Sequence, residues 1–149
     1  MNKGIRVFGT LLIIYGVYNL IGIGNYRQFA IMFKGLPPVM TIGVYAFSIF
    51  YGICALYCGA RILKLEDWAR KVMVGLTSIS VVLGFIFNRT VMTNFRDYLL
   101  SQAVNVPPEL VGPVYRYMMV FTVLVTIFEL SVIVFFTRHN VVSQFMRKQ

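Results

Sequence analysis

Four long apolar stretches dominate the pattern of this chain. They cover residues 7–26, 35–60, 72–88 and 117–137, and Glu129 is the only charged residue inside them. About 20 apolar residues in an α-helix, at a rise of about 1.5 Å per residue, cross a hydrocarbon core of about 30 Å. In lipid each span must satisfy its own backbone hydrogen bonds, and none of these stretches alternates as a barrel strand does. The pattern predicts an all-α polytopic membrane protein with four transmembrane helices in an antiparallel bundle.

Proline and glycine residues set the expected ends of the spans. We expect the spans over about residues 5–24, 38–60, 70–88 and 113–137, which leaves a single domain over residues 1–149. Because these spans and their connections use nearly all of the chain, no segment outside the membrane is long enough to bury a core of its own.

The two longer connections between spans are themselves apolar enough to lie on a membrane. Residues 25–36 are rich in Tyr, Phe, Ile and Met, and residues 89–112 carry apolar side chains at helical spacing. Pro37-Pro38 and Pro107-Pro108 close these connections, since proline suits a first helical turn but not a helix interior. We therefore predict two amphipathic outer segments at the interface, the second of them a short helix.

Composition supports the membrane class independently. Apolar residues make up 58% of the chain and charged residues only 13%, whereas about a quarter of residues are charged in soluble domains. The mean hydropathy of +0.76 agrees with this assignment. The expected environment of the chain is a lipid bilayer.

Basic residues indicate the orientation. The net charge is +9, but the bases flank apolar runs and do not gather on one face, which argues against nucleic acid as a partner. If the N-terminus is cytoplasmic, nine of the 14 Lys and Arg residues lie inside, namely Lys3, Arg6, Arg61, Lys64, Arg70, Lys71, Arg138, Arg147 and Lys148. The other five, Arg27, Lys34, Arg89, Arg96 and Arg116, then lie outside. The positive-inside rule predicts cytoplasmic termini, with anionic headgroups as partners of the inner bases.

Small residues form a regular stripe on span two. Ser48, Gly52, Ala55 and Gly59 are spaced by 4, 3 and 4 residues and so share one helix face. Small side chains let helix backbones approach closely, which favours helix association in lipid. The stripe predicts a contact face, either with a neighbouring span or with a second copy or another membrane protein.

Glu129 is a charged residue inside an apolar span, which packing alone does not explain. A charge near the centre of a membrane helix costs about 2.5 to 3.5 kcal/mol on insertion scales, so it needs compensation. A count of depth from the cytoplasmic side predicts that the polar cluster around Glu129 is formed by Thr10, Tyr57, Thr77 and Ser78, with Cys54 and Cys58 near the same level. Either the cluster is a structural clamp between helices, or Glu129 is the proton or cation site of a small carrier or channel.

The sequence offers little to catalysis or to cofactors. It lacks nucleophile elbows, metalloprotease motifs and glycine-rich phosphate loops. Its two cysteines, Cys54 and Cys58, share a helix face without further soft ligands, and the single histidine, His139, follows the last span. We therefore expect no enzyme activity, no metal and no cofactor.

The segment from Gly59 to Leu76 carries one resemblance to known proteins. With Ile62-Leu63 and Trp68-Ala69-Arg70 between spans two and three, it is similar to small bacterial four-helix membrane proteins. This resemblance implies residence in a bacterial cytoplasmic membrane and implies no activity. The expected function is a non-catalytic membrane subunit or scaffold that packs through the span-two stripe, and the alternative is the carrier that uses Glu129.

Overall fold

The protein is helical throughout the part of the chain that the structure describes. This computed structural model describes residues 3–24, 26–101 and 108–146, so Pro107, Arg147 and Lys148 lie outside the described residues. Its helices are α1 (Lys3–Ile23), α2 (Tyr26–Met32), α3 (Pro38–Leu63), α4 (Asp67–Ser101), α5 (Pro108–Thr137) and α6 (His139–Met146).

Four of these helices, α1, α3, α4 and α5, are long and apolar enough to cross a membrane. Helix α1 packs on α3, α3 on α4 and α4 on α5. Aromatic pairs close the ring between α1 and α5, with Phe8 stacked on Phe135 at 4.4 Å and Tyr18 against Phe121 at 5.6 Å between ring centres. The predicted all-α fold with four spans is confirmed. We call the two ends of the bundle the α2 end and the α6 end.

The second outer segment differs from the prediction. Helix α4 does not stop near residue 88 but continues to Ser101 without a break, because no Gly or Pro interrupts this stretch. Its 35 residues make it about 52 Å long, well beyond a hydrocarbon core of about 30 Å. Asn94 in this extension donates to the carbonyl oxygens of Met32 and Lys34 at 2.8 and 2.9 Å, which ties α4 to the end of α2.

Span four also begins earlier than expected. Helix α5 starts at Pro108, five residues before the predicted start at Pro113, and Pro113 lies inside it. Pro113 is the sixth residue of α5, so it leaves the carbonyl oxygen of Glu109 without its hydrogen bond within the helix. Membrane helices tolerate such a proline where neighbouring groups or water satisfy the freed carbonyl.

The apolar core fills the half of the bundle nearest the α6 end. Ile5, Leu12, Met73, Val132 and Phe136 are fully buried there. Helix α6, which the sequence did not predict, closes this end with the buried side chains of Val141 and Phe145. This half of the bundle is therefore packed with hydrocarbon side chains.

Arg70 connects three helices at the α6 end. It is 7% exposed, forms an ion pair with Asp67 at 2.7 Å and donates to the carbonyl oxygen of Phe136 at 2.9 Å. Its guanidinium also lies 5.7 Å from the ring centre of Phe145. One side chain thus joins α4, α5 and α6, and its charge is balanced by a carboxylate, a carbonyl dipole and an aromatic face.

Candidate functional site

Glu129 lies in α5 near the centre of the bundle and is only 5% exposed. Two hydroxyl groups donate to its Oε1 atom, Ser80 of α4 at 2.8 Å and Tyr15 of α1 at 3.2 Å. Tyr51 of α3 also interacts with this carboxyl, and its own hydroxyl lies 3.2 Å from Oγ1 of Thr77. All four spanning helices therefore contribute to one buried polar cluster.

The two tyrosines suit this position because each combines an apolar ring with one polar atom. The ring of Tyr15 packs edge-on against Tyr51 at 5.9 Å and tilts against Phe128 at 5.4 Å. Their hydroxyl groups can then face the carboxyl while their rings fill the core. On α4, Thr77 and Ser80 are three residues apart and so lie on the same face of the helix.

Helix α1 has one further polar side chain close to this cluster. Asn19 interacts with Tyr15, and its Oδ1 atom is the buried side-chain atom that lacks a hydrogen-bond partner among the described residues. Asn19 lies beside Gly52, where α1 and α3 are in close contact.

The structure brings only part of the predicted cluster to Glu129. Thr77 is buried and shares a hydrogen bond with Tyr51, which in turn interacts with Glu129. Ser78 instead donates to the carbonyl oxygen of Val74 in its own helix. Thr10 is exposed, and Tyr57, 52% exposed, accepts a hydrogen bond from Arg61 at the α6 end. The depth count placed these residues near Glu129, but depth does not specify which face of a helix a side chain occupies.

The two cysteines lie in apolar surroundings. Both are free thiols; Cys58 is buried in the apolar core and Cys54 packs against it. Their surroundings are those of small apolar side chains.

The small-residue stripe lies against α1 of the same chain. Gly52, Ala55 and Gly59 are buried, and a β-carbon on Gly59 would come within 3.0 Å of the carbonyl oxygen of Gly9. A β-carbon on Gly16 would lie 2.8 Å from the carbonyl oxygen of Gly52. Ser48, the fourth member of the stripe, donates to the carbonyl oxygen of Val44. Glycines on both helices thus permit a close approach of α1 and α3 within one chain.

Two adjoining cavities lie beside the polar cluster, on its α2 side. The larger, about 220 Å³, reaches from Ser80 towards Phe33 and Met92. The smaller, about 60 Å³, is bordered by Glu129 itself together with Thr126. Gly84, Asn88 and Thr122 form part of the wall of both cavities. A water molecule takes a share of about 30 Å³ in the liquid, so even the smaller cavity has room for water next to the carboxyl.

The opposite side of Glu129 is filled by apolar side chains. Towards the α6 end the next buried residues of α5 are Val132 and Phe136, which pack with Leu12 and Met73 in the fully buried core. The environment of the carboxyl is therefore asymmetric, with cavities on one side and close-packed hydrocarbon on the other.

A separate polar group lies at the α6 end, around the turn between α3 and α4. Glu66 accepts from the indole of Trp68 at 2.8 Å and from Arg61 at 3.0 Å, and these contacts hold the pKa of its carboxyl below its usual value. Trp68 is 44% exposed, as expected of an aromatic anchor at a membrane interface. This group is distant from Glu129 in sequence position and shares no hydrogen bond with it.

Together the fold and the polar cluster define an integral membrane protein with four apolar spans and a buried acid, Glu129, within the fourth of them. Comparisons with family models, with curated proteins and with solved structures find no match to this chain. Within the described ranges, no group of three or more His, Cys, Asp or Glu side chains is placed to hold a metal ion.

Proposed function

We propose that the protein is a small, non-enzymatic membrane carrier in which Glu129 reversibly binds a cation, at the least a proton. The observation that carries this proposal is the cavity bordered by Glu129, next to a larger cavity that ends at Ser80, a hydrogen-bond donor to that carboxyl. A carrier needs a hydrated path to its acid. Intramembrane acids that face a water-filled cavity commonly mark ion pathways.

The cavities lie on one side of Glu129 only, which fits a carrier whose acid is open to one compartment at a time. Cavities reach Glu129 from the α2 side, while the core of Val132, Phe136 and Met73 fills the space towards the α6 end. In such a carrier the helices rearrange around the occupied acid, so that the open side closes and the site becomes accessible from the other compartment. We further propose that the α6 end is cytoplasmic, in a bacterial cytoplasmic membrane, as the distribution of Lys and Arg residues indicates.

The second candidate is a structural subunit or scaffold. It is supported by the hydroxyl donors from α1 and α4, since hydrogen bonds between helices also hold membrane bundles together. The span-two stripe lies against α1, so a partner would have to bind to another face of the bundle. In this case Glu129 is a clamp that has no need to exchange its proton.

Glu129→Gln separates the two candidates, because glutamine keeps the size and hydrogen-bonding capacity of a neutral glutamic acid but cannot ionise. We expect infrared difference spectra of the reconstituted protein between acidic and alkaline buffers to show a carboxyl signal that Glu129→Gln removes. We also expect proteoliposomes with the native protein, and not with Glu129→Gln, to take up protons under an imposed membrane potential.

Glu109→Gln is the matched control, since Glu109 is the other acid of α5 and is exposed near its N-terminus. It should leave both the Glu129 carboxyl signal and proton uptake unchanged. If Glu129→Gln is as stable as the native protein and neither signal depends on Glu129, the carrier is excluded and the structural subunit is supported. Glu129→Leu should then be the variant that loses stability, because it leaves Ser80 and Tyr15 without an acceptor, at about 1 to 3 kcal/mol.

A further inference from the structure

The larger cavity has walls that suit an organic molecule better than a bare ion. The rings of Phe33, Phe47 and Phe87 line it, together with the aliphatic side chains of Val44, Leu83, Val91 and Met92. Phe33 and Phe87 pack edge to face at 5.8 Å between ring centres. Such walls provide a surface for an apolar body and aromatic faces for a cation.

Polar groups occupy the end of this cavity nearest to Glu129. Ser80 and Thr122 lie there, with the side chain of Asn88 on the wall that the two cavities share. Among the described residues that line either cavity, Glu129 is the one whose side chain can carry a charge. An apolar chamber that leads to one acid, with no base among its lining residues, selects for a cation over an anion or a zwitterion.

The surroundings of Glu129 are poor for an inorganic cation. Hard metal ions take six to eight oxygen ligands, about 2.0 to 2.6 Å away, usually with more than one carboxylate. Here no second carboxylate is among the described residues that line either cavity, and no group of three or more His, Cys, Asp or Glu side chains in the described ranges is placed to hold a metal ion. An ammonium group makes smaller demands, because its three N–H donors match one carboxylate and a few hydroxyl or amide oxygens.

The volume limits the size of the molecule. About 220 Å³ is below the range of about 300 to 1,000 Å³ that is usual for drug-sized ligands. Phe47 on the wall also stacks on Tyr51 at 6.1 Å, so the apolar chamber is in direct contact with the polar cluster. Glu129 itself lines only the smaller cavity, so a molecule in the larger one must extend past Ser80 and the shared wall of Gly84, Asn88 and Thr122 to reach the acid.

We propose that the substrate of this site is a small amphipathic amine, whose apolar body lies among Phe33, Phe47 and Phe87 and whose ammonium group binds at Glu129. This inference rests on the proposed carrier function and names its substrate class. When the ammonium ion binds, the neutral carboxyl of Glu129 gives up its proton to solvent and becomes the carboxylate that pairs with the ammonium group, so the net charge of the site stays at zero.

Benzylamine, benzyl alcohol and methylamine are suitable probes, since the second lacks the charge of the first and the third lacks its ring. Calorimetric titration of the reconstituted native protein at neutral pH should show saturable binding of benzylamine, with benzyl alcohol and methylamine each binding at least about tenfold more weakly. Glu129→Gln should weaken benzylamine binding about 10- to 100-fold and leave benzyl alcohol unchanged.

Two glycines on α4 provide a second test of the amine site, because a side chain can be added at each without a clash at its β-carbon. Gly84 borders both cavities and is exposed, and a β-carbon there would meet nothing within 4 Å, so Gly84→Leu places a large side chain at the shared wall with no clash at its β-carbon. Gly75→Leu is the matched control, because Gly75 is equally open but lines neither cavity. We expect Gly84→Leu to abolish benzylamine binding and Gly75→Leu to retain it, with the same helix content in both.

The outcomes separate this inference from the proposed function. If benzylamine does not bind, or binds no better than benzyl alcohol, while the Glu129 carboxyl still titrates in infrared spectra, the amine proposal is wrong and a proton site remains. If the carboxyl does not titrate and benzylamine does not bind, both proposals are wrong. Binding that survives both Gly84→Leu and Glu129→Gln would place the amine elsewhere on the protein and would overturn the inference.

Discussion

The close approach of α1 and α3 at Gly16 leads to a sharp prediction about stability. A β-carbon on Gly16 would lie 2.8 Å from the carbonyl oxygen of Gly52 and 2.9 Å from the backbone nitrogen of Leu56. Both atoms belong to the backbone of α3 and cannot move without the helix. Gly16→Ala should therefore push the two helices apart by several tenths of an ångström.

The size of the effect follows from two opposing terms. Overpacking of this kind costs about 1 to 3 kcal/mol, while alanine is favoured over glycine in a helix interior by about 0.5 to 1 kcal/mol. Gly75→Ala isolates the second term, because a β-carbon on Gly75 meets nothing within 4 Å. The propensity term cancels between the two variants, so Gly16→Ala should be less stable than Gly75→Ala by about 1 to 3 kcal/mol.

Unfolding in mixed micelles measures this difference directly. Circular dichroism reports helix content, and the fluorescence of Trp68, the single tryptophan, reports packing at the α6 end. Gly52→Ala gives an intermediate case, since its β-carbon would meet the flexible end of Leu20 at 2.9 Å, which can turn away. If Gly16→Ala and Gly75→Ala unfold at the same denaturant concentration, α1 and α3 do not pack as the structure shows.

Two further predictions concern orientation and the α6 end. In a chain whose Cys54 and Cys58 are replaced by alanine, a cysteine in place of Lys64 should react with an impermeant thiol reagent only from the cytoplasmic side. A cysteine in place of Lys34 should react only from outside, and the opposite pattern would invert the topology. Arg70→Lys should destabilise the protein by about 1 to 3 kcal/mol and speed hydrogen exchange in α6, because lysine cannot reproduce the guanidinium contacts. Lys71→Met is the control: Lys71 also pairs with Asp67, at 2.8 Å, but its side chain is 67% exposed and this ion pair lies within α4, so exchange in α6 should stay unchanged. Equal exchange in α6 for both variants would show that Arg70 does not hold this helix.

Span number and helix type were predictable because they depend on length and hydropathy alone. The ends of the helices were harder to predict from the sequence. Residues 89–101 contain no Gly or Pro that would end a helix, and α4 continues to Ser101. Helix α6 was missed for a different reason. It is only eight residues long, and it is stabilised by the burial of Val141 and Phe145 against the bundle more than by any local signal.

Tyr15, Ser80 and Tyr51 were not predicted as partners of Glu129, because the depth of a residue in the membrane does not say which face of its helix it occupies. In lipid the interior face of a span is the one that carries small and polar residues, since the outer face needs only apolar ones. On α4 that face is marked by Thr77 and Ser80, and the same line continues through Gly84 and Asn88, which are exposed along the two cavities, at spacings of 3, 4 and 4 residues. On α5 it is marked by Thr122, Thr126 and Glu129, at spacings of 4 and 3 residues.

These two polar faces oppose each other in the structure. Ser80 meets Glu129, and Gly84 and Asn88 share a cavity wall with Thr122. The periodicity of polar residues within apolar spans therefore contains the signal for the α4 and α5 sides of the site. It contains no comparable signal for Tyr15, because tyrosine is enriched at membrane interfaces and does not by itself mark an interior face, and Tyr18, one turn away, is 54% exposed. Only the packing of Tyr15 against Tyr51 and Phe128 directs its hydroxyl to the carboxyl.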